Sequence, residues 1–218
     1  MKNIPRIFID KEINQGQIVP IDKALSHYLT NVMRTKNCLC FNSGIEFHAM
    51  RTQDGRNLII GEKTNHTDPS GDITLFFAPI KKLDDLLNMA TQMGVACFQP
   101  VITERTVAHH VNWERMQKIV IEASEQSNRN SIPKIYPPVK FSELDLKNIC
   151  FADERFAYGK EHTDIPSGIK SVFIGPEGGF SDAEFAAFDR ASSCGIPLGK
   201  TILRAEVAAV VAIGKITK

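Results

Sequence analysis

The feature that most constrains this 218-residue chain is a change in hydrophobic rhythm near residues 65–71. Ahead of it, short apolar runs at 4–9, 39–41, 45–50 and 57–61 alternate with turn signals such as Asn42-Ser43-Gly44 and Asp54-Gly55. One short helix is expected over 23–33, entered from Pro20. Many short strands around one helix predict a small β-barrel domain over 1–66. The polar stretch Asn65–Gly71, containing Asp68-Pro69-Ser70-Gly71, is the linker candidate. Beyond it, apolar runs of strand length (73–78, 95–101, 148–152, 171–174) alternate with amphipathic helical patterns. That alternation predicts an α/β domain with a largely parallel sheet over 67–218.

Three amphipathic helices are readable in the second part. The segment 82–93 places Leu83, Leu86, Leu87 and Ala90 on one face and stops at Gly94. The segment 113–126 starts after Asn112 and turns Met116, Ile119, Val120 and Ala123 inward. The segment 181–194 opens with a capping box, Ser181 and Glu184, and ends at Gly195. A last helix over 205–216 is apolar on several faces, so it must be covered all round, by its own sheet alone or by that sheet and a second subunit.

Hydrophobic residues make up 43% of the chain, enough for a buried core. No window of eighteen apolar residues occurs, and the start Met1-Lys2-Asn3-Ile4-Pro5 carries no apolar signal, so no membrane partner and a cytoplasmic location are expected. Cys38, Cys40, Cys97, Cys150 and Cys194 are odd in number and form no CxxC pair. They read as reduced thiols, and no metal is expected. The pair His109-His110 reads as a solvated loop. The net charge of +1 divides unevenly: residues 1–66 carry nine Lys/Arg against six Asp/Glu (+3), and the rest seventeen against nineteen (−2). The excess at the front suits a phosphate backbone only weakly.

Two glycine-bearing stretches carry the chemistry. In Phe173-Ile174-Gly175-Pro176-Glu177-Gly178-Gly179-Phe180-Ser181 a buried strand runs into a turn and then a capped helix, where ligands of open α/β sheets bind. A tight turn without a ligand is the bland alternative. In Leu198-Gly199-Lys200-Thr201-Ile202-Leu203-Arg204-Ala205-Glu206 the Gly-Lys-Thr resembles a phosphate loop only superficially. Gly195 is followed by three residues, not four, and is preceded by a helix, not a strand, which excludes that motif. Arg204 and Glu206 open an apolar helix, so they should be paired or face a site. A third group, Thr103-Glu104-Arg105-Thr106 with Glu122 to Arg129 and Pro133, offers donors and acceptors suited to nucleobase edges and phosphates, or else a solvated helix end.

In order, these segments resemble the RsmE family of 16S rRNA (uracil-N3)-methyltransferases, in the SPOUT superfamily, across nearly the whole chain. The matching blocks are Arg6-Ile7-Phe8, then His27 to Arg34, Met93-Gly94-Val95, Glu104-Arg105, Glu122 to Arg129 and Pro133. Two more follow: Ile174 to Gly179, and Leu198-Gly199 before Ile202-Leu203-Arg204-Ala205-Glu206. The resemblance implies an α/β fold with an N-terminal PUA-like, RNA-recognising β-barrel and a C-terminal trefoil knot, S-adenosyl-L-methionine (AdoMet) as cofactor, 16S rRNA or the small subunit as partner, and a homodimer. It further implies a cofactor cradle of Ile174, Gly175, Pro176, Glu177, Gly178, Gly179, Leu198, Gly199, Ile202 and Leu203. Arg204, Glu206, Arg129 and Gln126 are the expected catalytic group, with Glu177 and Glu104 as further candidate bases, and Arg6, Arg34 and Arg105 as RNA contacts. The chain departs from the family's pattern at Asn37-Cys38, Met89, Gln92 and Val207. Competing readings are a related methyltransferase acting on tRNA or 23S rRNA, an RNA-binding homologue without turnover, and a nucleotide-dependent kinase.

Overall fold

The computed structural model describes residues 4–68, 71–107, 111–161 and 164–217. The pair His109-His110, the first three residues and Pro69-Ser70 of the expected linker lie outside these. The chain divides into two units: Met1–Pro69 with Ile121–Ile132, and Ser70–Val120 with Pro133–Lys218.

The first unit is built on a five-stranded curled sheet. Its strands are β1 (Arg6–Phe8), β2 (Ile18–Pro20), β3 (Asn37–Asn42), β4 (Ile45–Arg51) and β5 (Asn57–Lys63), in the order β1-β3-β4-β5-β2. Among its described pairs only β1–β3 is parallel. Ser43 and Gly44, at φ 51° and 80°, form the two-residue turn between β3 and β4, the left-handed pair that a right-twisted hairpin favours. Alternate side chains (Ile7, Cys38, Cys40, Ala49, Leu58, Ile60) fill the core with Ile9, Val19 and Leu29. The helix expected over 23–33 is α1 (Lys23–His27), which widens into a π-type turn at Tyr28–Val32. Pro20 belongs to β2 rather than to a helix entry.

The outer face of β1 is not free. Arg6 is buried and bonded through Nε to Glu46 at 2.9 Å, through Nη1 to the Ser124 carbonyl at 3.1 Å, and through Nη2 to Asn130 Oδ1. A guanidinium that is buried and has each of its three nitrogens bonded inside the unit is not presented to a phosphate. Arg6 is therefore withdrawn from the expected RNA contacts.

The second unit carries a seven-stranded sheet whose described pairs are all parallel. Its strands are β6 (Thr74–Phe77), β7 (Cys97–Ile102), β8 (Lys134–Ile135), β9 (Val139–Lys140), β10 (Cys150–Ala152), β11 (Ser171–Ile174) and β12 (Gly195–Ile196). The order is β12-β10-β11-β6-β7-β8, with β9 also on β7. The helices are α2 (Leu83–Gln92), α3 (Trp113–Gln126), α4 (Asp182–Arg190) and α5 (Ala205–Ile216). The periodicity of α3 runs on without a break, but residues 121–126 of it count with the first unit. Helix α4 is shorter than expected: Ser192 turns left-handed at φ 54°, which frees Gly195 to become a strand residue beside Phe151.

Phenylalanine rings dominate the packing beneath β10 and β11. Phe151 stacks on Phe188 at 3.9 Å between centroids, and Phe173 meets Phe180 edge-on at 5.1 Å. This block fixes where β10 and β11 end, and so where the loops beyond them begin. All five cysteines are free thiols. No helix among the described residues is long and apolar enough to cross a membrane.

Candidate active site

The loops leaving the carboxyl ends of β6, β10 and β11 surround a cavity of about 460 Å³ together with the segment 198–206. Its size is in the range of small-molecule sites. The two glycine-bearing stretches separated in sequence therefore line one hollow. Ile174, Gly175, Pro176, Glu177, Gly179, Leu198, Gly199, Ile202 and Leu203 all face it, as do Arg204 and Glu206.

The first turn is held from several sides. Ser181 and Glu184 form the capping box of α4, with Ser181 N donating to Glu184 Oε2 at 2.8 Å. The other oxygen of Glu184 accepts from Glu104 N at 2.9 Å. Arg105 donates through Nη1 to the carbonyls of Gly178 at 2.9 Å and Phe180 at 3.2 Å. Across the turn, Lys81 N donates to Glu177 Oε1 at 3.0 Å. Gly179 has φ 70°, the left-handed region that favours glycine, and a Cβ there would lie 2.5 Å from Glu154 Oε1, so the Glu154 carboxylate would also have to move aside.

The second turn leads into α5. Arg204 is its N-cap residue and is exposed; Glu206 is buried, with Oε1 4.0 Å from Lys82 Nζ. Both charges line the cavity, and Glu206 also stands opposite the Lys82 ammonium.

Several expected residues fall elsewhere. Gly178 is exposed and turns away from the cavity, towards the Arg105 side chain 3.6 Å from where its Cβ would be. It leaves the cradle. Glu104 and Arg105 do not line the cavity either; Arg105 grips the turn instead of standing free for RNA. Gln126 and Arg129 count with the first unit and are absent from the cavity wall. Gln126 is exposed, whereas Arg129 is buried. Burial lowers the Arg129 guanidinium's pKa against the opposing pull of Asp68. Arg34 is exposed at φ 51°. Met89, Gln92 and Val207 are not cavity residues, so these departures leave the cavity wall intact.

The residues that sequence reading missed are Lys81, Lys82, Ala152, Asp153, Glu154 and Ala157. Asp153 is buried; burial opposes its ionisation, yet hydrogen bonds from Arg155 and Lys160 outweigh it and hold the carboxyl below its usual range. The available signal was position: Ala152 ends β10 and the others follow β6 and β10 as Gly175 follows β11, at the carboxyl ends of the strands where ligands bind.

Comparison with known proteins now gives the class. The RNA methyltransferase domain family matches residues 66–217. The ribosomal RNA small subunit methyltransferase E of Rickettsia conorii is 33% identical over 97% of this chain and 94% of its own length. That of Mesomycoplasma hyopneumoniae is 27% identical over 98% and 99%. The crystal structure of the ribosomal RNA small subunit methyltransferase E from Neisseria gonorrhoeae, bound to S-adenosyl methionine, has a TM-score of 0.84 to this chain at 29% identity. That match covers 97% of this chain and 96% of the other. This chain belongs to the RsmE family of ribosomal RNA small subunit methyltransferases.

Proposed function

We propose that this chain transfers a methyl group from AdoMet to small-subunit ribosomal RNA, at N3 of a uridine in 16S rRNA. The observation that carries the proposal is the convergence of the 174–179 and 198–206 segments on one cavity. That cavity suits AdoMet: Ile174, Leu198, Leu203 and Ala208 give an apolar lining, and Gly179 leaves room that a side chain would fill. Bound there, AdoMet supplies an electrophilic methyl group on a sulfonium, and no metal is needed.

The chain's own residues do the positioning. Gly175, Pro176, Gly179 and Gly199 bring backbone against the cofactor, and Ile202 and Leu203 cover it. Arg204, an exposed cation at the cavity, holds a phosphate or the uracil carbonyl as negative charge grows on it. Glu206 and Glu177 line the same cavity and are candidate carboxylates to take the imide proton, though each already meets a lysine, Glu177 the Lys81 backbone N–H and Glu206 the Lys82 ammonium. Arg34 and the exposed Gln126 contact RNA on the first unit. A hollow of about 430 Å³ there presents Lys23, His27, Asn31 and Arg56.

The first unit is read as a PUA-like RNA-recognition module and the last part of the second as a trefoil knot. Val207 is 42% exposed, and Val210 and Val211 are half-buried, on α5, whose Ala208, Ala209, Ala212 and Ile213 are buried. Covering that apolar face with a second copy of the chain makes a homodimer. The protein works in the cytoplasm.

The test incubates the protein with labelled AdoMet and small subunits lacking the modification, then maps the methylated base by mass spectrometry. One methyl group on a uracil N3 of 16S rRNA is expected; label on tRNA or 23S rRNA alone, or none, removes the assignment.

A further inference from the structure

Two adjacent carboxylates follow β10, and the fold treats them oppositely. Asp153 turns to Arg155 Nη2 at 2.8 Å and Lys160 Nζ at 2.7 Å, and is fully committed there. Glu154 lines the cavity, is half-buried, and has no hydrogen-bond or ion-pair partner among the described residues. The other carboxylates of the cavity are engaged, Glu177 by Lys81 N and Glu206 by Lys82 Nζ at 4.0 Å. Each member of the pair lies where a glycine makes room for it. A Cβ on Gly195 would stand 2.8 Å from Asp153 Oδ2, and one on Gly179 would stand 2.5 Å from Glu154 Oε1. The carboxylate of Glu154 is thus pressed against the cofactor turn itself, between backbone and cavity. A half-buried carboxylate without a donor is costly, and the cost is relieved when a ligand brings one.

We infer that Glu154 is a specificity-determining residue of the cavity, accepting charge-assisted hydrogen bonds from donor groups of the cofactor. The inference rests on the cofactor reading above and adds a recognition contact to it. AdoMet carries two donor sets of the right chemistry, the ribose diol and the α-ammonium. Either fits an acceptor-only carboxylate, and the two can be separated.

The experiment measures calorimetric dissociation constants of the wild type, Glu154→Gln and Glu154→Ala for AdoMet, S-adenosylhomocysteine and 5′-methylthioadenosine, which keeps the diol but lacks the amino acid. Removing the carboxylate is expected to weaken AdoMet by about tenfold or more, the range of a hydrogen bond to a charged group. Both variants should shift alike, since Glu154 has no internal partner whose loss would unfold the free protein; either variant suffices if the other fails to fold. Weakening of all three ligands assigns the diol. Weakening of the first two with 5′-methylthioadenosine unchanged assigns the ammonium. A wild type that binds AdoMet beside variants that bind it equally well overturns the role of Glu154 alone. A wild type that binds none of the three overturns the cavity reading, and this inference with it.

Discussion

The two turns that meet in the cavity are held in opposite ways. From Gly175 to Ser181 the chain is tied by Arg105, by Lys81 N on Glu177, by the α4 capping box and by Phe180 buried among other rings. Residues 198–203 make no hydrogen bond with any other described residue; Ile202 is 54% exposed, and nothing lies within 4 Å of where a Gly199 Cβ would be. The first turn is a finished surface. The second is a flap whose order a ligand can complete: fixing each residue costs about 1–2 kcal/mol, and burying an Ile side chain such as Ile202 returns about 1.5–3 kcal/mol. One wall gives shape, and the other gives closure.

The sharpest test acts on the looser wall. Arg204→Ala should lower turnover by about 10²–10³-fold, as when a donor to developing charge is removed, while AdoMet affinity changes far less. Single-turnover rates beside calorimetry decide this; unchanged turnover takes Arg204 out of the chemistry.

A smaller effect compares glycines on the two walls. Gly179→Ala meets both a left-handed φ, worth about 1–2 kcal/mol, and the Glu154 carboxylate. It should weaken AdoMet binding by about tenfold or more. Gly199→Ala, at φ 137° but with open space around it, meets only the backbone cost, and its binding loss should be the lesser. Equal losses would mean that the two walls are equally rigid.

Next comes the support of the held turn. Glu184→Ala removes the acceptor of Ser181 N and of Glu104 N together. A stability loss of about 1–2 kcal/mol is expected, in the range of a lost helix cap, read from chemical denaturation. A variant as stable as the wild type would show that the cap does not hold this turn.

How much of this was legible beforehand depends on the range of the interactions. Helices α3 and α5 and strand β11 fall on the expected residues because their signals are local: a 3.6-residue rhythm, a solidly apolar run, and an apolar strand before a glycine turn. The cavity was legible for the same reason, since both turns carry glycine at the ends of readable elements. The errors are non-local. Arg6 reads as a free cation until Glu46 and Asn130, 40 and 124 residues away, surround it. Glu154 belongs to no motif, and only the fold brings it against Gly179. The continuous periodicity of α3 hides that residues 121–126 cluster with the first unit, because a helix rhythm records that a face is buried and not what buries it.

The finest probe of the contrast between the walls is Arg105→Ala. Its guanidinium lies on the exposed side of the turn, so the two hydrogen bonds it donates to Gly178 and Phe180 are weakened by solvent, and about 1 kcal/mol is expected for their loss. Because Gly178 itself does not face the cavity, that energy reaches the cofactor only through Glu177 and Gly179 on either side of it. AdoMet affinity should fall about fivefold with turnover at saturation nearly unchanged, and Arg105→Lys should restore part of it. Hydrogen exchange gives the independent reading. In the wild type the bonded amides of 177–181, those of Gly179 and Ser181, should be protected before AdoMet is added, and those of 199–203 only afterwards. In Arg105→Ala both segments should exchange freely without AdoMet and be protected with it. If 177–181 stays protected in the variant, the turn is fixed by the α4 cap and the phenylalanine cluster alone, and Arg105 is returned to the residues free to meet RNA.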